Sequence, residues 1–162
     1  MATTIRFPVE RNEIADQLTS RSEKTEEFTF RSNAQLAFFA AMIGVNQAEG
    51  RYIEEQLDRT GREIPGSAIE NTDMEGLAYL LAAYDTDGDA EIFREGNDKK
   101  IWTIFEHYAS AGLGVIDDWL SENPTDLDAY GTLLNKMKLA AAELEKEGID
   151  QNEPDEPIEI EI

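Results

Sequence analysis

Ile101, Ile104, Phe105, Tyr108, Gly112, Ile116 and Trp119 recur at steps of three and four residues, and Trp102, Ala109, Leu113 and Leu120 widen them into a broad apolar face. Because a helical turn takes about 3.6 residues, this spacing predicts one long α-helix over about Asp98 to Ser121, with most of its circumference turned to a core. The remaining elements must therefore pack around a helix, which favours a mainly α fold. Gly112 and Gly114 lie inside it, and each costs roughly 1 kcal/mol relative to alanine. A close approach of another helix, or a bend, is expected beside them.

The elements that could do the packing are legible on either side. Thr4 to Glu10 alternates Ile5, Phe7 and Val9 with other residues, which reads as a short strand whose Pro8 suits an edge. Arg11 to Thr19 reads as a short helix through Ile14 and Leu18, and the polar stretch Ser20 to Glu27 as a loop. Ser32 followed by Gln35 is a capping box ahead of the apolar run Leu36 to Ile43, so a buried helix is expected over Asn33 to Ile43, ended by Gly44. Ala48 to Arg59 is a further helix candidate through Tyr52, Ile53 and Leu57. Gly61, Pro65 and Gly66 then predict a surface segment. Thr72 with Glu75 repeats the capping box for a helix over Asp73 to Tyr84, with a minor strand possible near Ile92. Thr125 is the expected cap of a last helix carrying Leu127, Tyr130, Leu134, Met137, Ala141 and Leu144 on one side and ending at Gly148.

At 162 residues, 41% of them hydrophobic, the chain is long and apolar enough for one domain with a core of its own. The expected organisation is a single domain of five to six helices over residues 1–147, with a short N-terminal strand, and a flexible acidic tail over residues 148–162. That tail holds Asp150, Glu153, Asp155, Glu156, Glu159 and Glu161 without a base. A solvated segment is the simple reading. The alternation of Ile158, Ile160 and Ile162 leaves open a strand added to a sheet edge. Cysteine is absent, which excludes disulfides, thiolate metal sites and Cys nucleophiles. No run approaches the roughly eighteen apolar residues of a membrane span. Met1 to Phe7 lacks a signal peptide's apolar stretch, so a cytoplasmic protein is expected.

Thirty-five Asp and Glu against fourteen Lys and Arg set the net charge at −21, and the excess runs along the whole chain. Such a surface repels phosphate backbones, so nonspecific nucleic-acid binding is not expected. It suits a halophilic cytoplasm, where molar salt screens the repulsion to a Debye length of about 3 Å. A DNA mimic that presents carboxylates in place of phosphates is the functional alternative, although acids spread over helices, loops and tail fit it less well than one spaced surface would.

Few motifs carry chemistry. Asp85-Thr86-Asp87-Gly88-Asp89 follows an apolar helix as the first half of an EF-hand loop does, with oxygen ligands at loop positions one, three and five. Ala90 stands where that loop needs glycine and Gly96 where it needs the bidentate glutamate, so an acidic turn between two elements is the simpler reading of Asp85, Asp87 and Asp89. His107 is the lone histidine and is expected on the exposed polar stripe of the long helix with Thr103, Glu106, Ser110 and Asp117. Asp117 and Asp118 are helical neighbours pointing about 100° apart and share no site. No phosphate loop, HExxH or GxSxG occurs, so neither enzyme nor cofactor is indicated. A strand before two helices is the order of a ribbon-helix-helix DNA binder. On that plan Thr4 and Arg6 would face bases and Ser32 would take a phosphate.

Two segments, Phe28 to Val45 (FTFRSNAQLAFFAAMIGV) and Ile104 to Leu120 (IFEHYASAGLGVIDDWL), are separated by a helix ending LAYLLAAYD and a short connection through Ile92 and Phe93. Together with the F-x-x-Y-A-x-x-G-L core at Phe105 to Leu113, they resemble the Dnd system-associated protein 4 family over roughly Ile5 to Leu139. The chain departs from that pattern by an insertion around Ala48 to Arg62 and by its acidity. The resemblance implies an accessory of DNA phosphorothioation, the replacement of a backbone oxygen by sulfur, and of the restriction of unmodified phage DNA. It brings no catalytic residue. The implied partners are modification or restriction subunits, and Trp102 and Trp119 on the long helix are candidate contacts, unless the core takes them.

Overall fold

The stripe centred on Phe105 folds as one helix, and every other element is placed by how it covers it. The computed structural model describes residues 4–23, 25–47 and 61–150. In chain order these form β1 (Ile5–Arg6), α1 (Asn12–Thr19), α2 (Asn33–Gln47), β2 (Glu63–Ile64), α3 (Gly66–Glu70), α4 (Glu75–Asp85), α5 (Asp98–Ser121) and α6 (Tyr130–Asp150). The fold is mainly α, with six helices and one two-stranded sheet among the described residues. The helix candidate Ala48 to Arg59 and the tail from residue 151 lie outside the described residues. Among the described residues no helix is long and apolar enough to cross a membrane.

The central contact is α2 against α5. Phe38 and Phe105 meet across it with ring centroids 4.8 Å apart, and Trp102 lies edge-on to Phe105 at 5.5 Å. Burying each of these rings is worth about 2–3 kcal/mol. The helices come this close because their crossing is lined by small residues. A Cβ on Gly112 would sit 1.7 Å from the Ala40 carbonyl oxygen, and one on Gly44 would sit 2.1 Å from that of Tyr108. Gly112 thus supplies the close approach its position predicts. Gly44, by contrast, does not end its helix: α2 runs on to Gln47, and the glycine is there for interhelical contact. Gly114 meets only the Arg11 guanidinium, whose nearest nitrogen is 2.7 Å from the same hypothetical atom.

The cap of α2 is as expected at Ser32, whose Oγ accepts from the Gln35 amide at 3.2 Å. The return bond from Gln35 reaches the Arg31 amide, at 3.1 Å. The second proposed box does not form. The Thr72 hydroxyl donates to the Ile69 carbonyl at 2.6 Å and α4 begins at Glu75, without a side-chain cap.

β1 is shorter than the apolar alternation suggests, because Pro8 leads a 3-10 turn over Val9–Arg11 and leaves Val9 exposed. The strand pairs antiparallel with β2, Ile5 opposite Ile64 and Arg6 opposite Glu63. Gly61 passes under Phe7, where a Cβ would lie 1.8 Å from the Phe7 carbonyl oxygen. The segment after Gly61 is therefore not the surface stretch its Gly and Pro content suggested. Ile64 and Ile69 are fully buried in it. The minor strand expected near Ile92 is instead a 3-10 turn, Ala90–Phe93.

The expectation for His107 is overturned: it is buried, as is Glu106 beside it. β1 lies across the polar stripe of α5, and the Arg6 amide donates to Glu106 Oε1 at 2.8 Å. Periodicity could not show this, since the partner that engages Glu106 on this stripe lies a hundred residues earlier in the chain.

The largest departure is in α6. Thr125 does not cap it: the helix starts at Tyr130, after Ala129 at φ +61°, and Asp126 Oδ2 accepts from the Thr132 amide at 2.6 Å. Ala129, Thr132 and Leu133 anchor this first turn in the body. The predicted apolar side does not reach the core. Leu127, Tyr130, Leu134, Met137 and Leu144 are all exposed, and α6 passes through Gly148 to Asp150.

Candidate partner-binding site

α4 carries apolar residues around its whole circumference, so only part of them can face α5. Ala78, Leu81 and Ala82 are buried there. Leu80 and Tyr84, one turn apart, remain 66% and 63% exposed. Beside them, Tyr79 stacks on Phe93 with ring centroids 6.4 Å apart, both partly open to solvent. The Tyr79 hydroxyl lies close to the Asp98 carboxylate at the start of α5. Its pKa is raised, first by desolvation and then by the charges of Asp98 and Glu75, so the neutral donor form is kept. The result is an aromatic and aliphatic patch on a strongly acidic protein, with hydroxyls able to hydrogen-bond at its rim.

The acidic turn borders this patch. The Gly88 amide donates to the Ala83 carbonyl at 2.8 Å and the Asp87 amide to that of Tyr84 at 3.3 Å, with Asp87 at φ +52°. That is a Schellman closure of α4, with aspartate in the left-handed position. The three carboxylates serve different ends. Asp85 accepts from the Tyr108 hydroxyl at 2.9 Å, Asp89 Oδ1 accepts from the Glu91 amide at 3.0 Å, and Asp87 is exposed. Among the described residues no group of three His, Cys, Asp or Glu side chains is gathered so as to hold a metal ion. Between turn and helix lies an open depression of about 490 Å³, lined by Ala83, Tyr84, Asp85, Asp87, Gly88 and Tyr108.

The other sequence candidates are dispersed. Trp102 is buried in the core, and its ring is not available to a partner. Trp119 is half-buried at the far end of α5, under the Lys136 ammonium 5.5 Å from its ring centre. Arg6 faces solvent but is ion-paired with Glu63 at 2.8 Å, and its strand already pairs with β2. The Ser32 hydroxyl is engaged in capping α2. Asp117 and Asp118 are exposed.

Leu80 and Tyr84 did not stand out in the sequence, because both continue the apolar pattern of their helix. The available signal was excess: Leu77 to Tyr84 is an unbroken apolar run, more than one buried face can use.

Comparison with known families adds one finding. The sequence profile for DNA sulphur modification system-associated protein 4 matches residues 4–153. No curated protein matches, and no solved structure does.

Proposed function

The chain belongs to the DNA sulphur modification system-associated protein 4 family, and from that premise we propose that it is a non-catalytic accessory of a phosphorothioation system, working by binding the system's own modification or restriction subunits. One observation carries the reading: the exposed patch of Leu80, Tyr84, Tyr79 and Phe93 on an otherwise acidic surface. Tyrosines and aliphatics grouped on one rigid helix are the anchors that protein interfaces use, and the bordering carboxylates select a partner with a basic rim. DNA contact is disfavoured by the net charge of −21 and by the pairing of Arg6 with Glu63.

The test is co-purification from the native host with a tagged chain. Wild type is expected to retain at least one modification or restriction subunit. Leu80→Asp with Tyr84→Asp is expected to lose it while melting as wild type does, because both side chains already face water. An anchor of this kind is worth about 2 kcal/mol, so each substitution should weaken binding roughly thirtyfold. Recovery of folded wild-type protein without any subunit of the system would sink the proposal.

A further inference from the structure

Leu134, Met137, Ala141 and Leu144 are spaced by three, four and three residues along α6, and all four face solvent. A strict alternation of this kind makes a narrow seam suited to one partner helix, whereas the core-facing α5 is apolar over a much broader face. From Leu134 to Lys146 no side chain of α6 is buried, and apart from Lys136, which reaches Trp119 and Glu122 on the other side, the helix stands in water. An uncovered helix of this length is marginal by itself.

We propose that the seam is occupied by the same helix of a second copy, antiparallel, about a two-fold axis near Ala140 and Ala141. Charge decides both partner and direction. Lys138 flanks the seam on the N-terminal side of that axis and Glu145 flanks it on the C-terminal side, seven residues on and so on the same edge. An antiparallel pair sets Lys138 of each copy beside the partner's Glu145, whereas a parallel pair would turn both toward the partner's other edge, at Leu133 and Ala140, and leave the two charges without an opposite charge. Small side chains at Ala140, Ala141 and Ala142 let the backbones approach at the crossing. Over Tyr130 to Lys146 the helix carries three lysines and two glutamates, so two chains of net charge −21 meet there with little local repulsion. This pairing is independent of which subunit the α4 patch binds, and it is tested on the purified full chain alone.

Sedimentation equilibrium from micromolar to hundreds of micromolar protein, in low salt and in molar KCl, should give the mass of two chains. Met137→Glu with Leu144→Glu should give one chain with an unchanged melting temperature. Lys138→Glu and Glu145→Lys should each weaken the dimer about tenfold in low salt, and mixing the two variants should restore it as a heterodimer. A wild type of single-chain mass throughout overturns the proposal, whatever segment then covers α6. So does a dimer that survives Met137→Glu with Leu144→Glu. Failure of the two charge variants to combine overturns the antiparallel arrangement.

Discussion

Gly112 shows how one residue can decide a helix crossing. Its missing Cβ would fall 1.7 Å from the Ala40 carbonyl oxygen, and backbone on both sides leaves nothing flexible to yield. Gly112→Ala is expected to cost about 3 kcal/mol or more, and Gly44→Ala a similar amount, read as the shift in urea midpoint. Gly76 is the control, since a Cβ there meets nothing within 4 Å. Gly76→Ala should stabilise by about 0.5 kcal/mol through helix propensity. The sequence placed Gly112 correctly inside a helix, because it continues a stripe on both sides. It misplaced Gly44 as a stop, because a glycine at a helix end and one at a helix crossing look alike until the partner helix is known. His107 failed for the same reason. Its apolar neighbours set its helical phase, but they do not show what packs over the polar stripe, where β1 engages the adjacent Glu106 from far along the chain.

Among the elements, α5 was legible to the residue and α6 was not. α5 has a stripe too broad for any setting but a core, and both of its ends carry polar breaks. α6 has an equally regular pattern, yet its apolar side faces water, since periodicity reports that a face is apolar without saying what covers it. Its start is set by Asp126, which takes the Thr132 amide across the turn. Asp126→Ala is accordingly expected to destabilise by about 1 kcal/mol, whereas Thr125→Ala at the sequence-derived cap should change stability by less than about 0.5 kcal/mol. Thermal melts of the two variants side by side distinguish them, and equal losses would mean that the helix starts earlier. The candidate site was partly legible: the surplus of apolar residues on α4 was visible, but which of them α5 would leave uncovered depended on how the two helices pack.

At the scale of the whole molecule, the acidity acts on stability and on approach to partners. With −21 spread over the chain, mutual repulsion of carboxylates opposes compaction, and salt screens it. The melting temperature is expected to climb by several degrees between low-salt buffer and molar KCl. A melting temperature that stays flat or falls would remove brine as the condition the surface is built for. The same repulsion makes patches low in charge, such as the outer face of α4 and the seam of α6, the places where another protein can be approached most closely.

Composition and periodicity by themselves determined that the chain is mainly helical, that α2 and α5 are its interior helices and that no cysteine chemistry is available, because each of these depends on residue type and local spacing alone. Tertiary packing decided that β1 engages Glu106 on α5 and that His107 is buried, that Gly44 serves a crossing, that the segment after Gly61 runs into the core, and that the apolar sides of α4 and α6 stay outside. Those outcomes turn on which surfaces meet across long stretches of chain, and burial of one face by another leaves no mark in the local pattern of either.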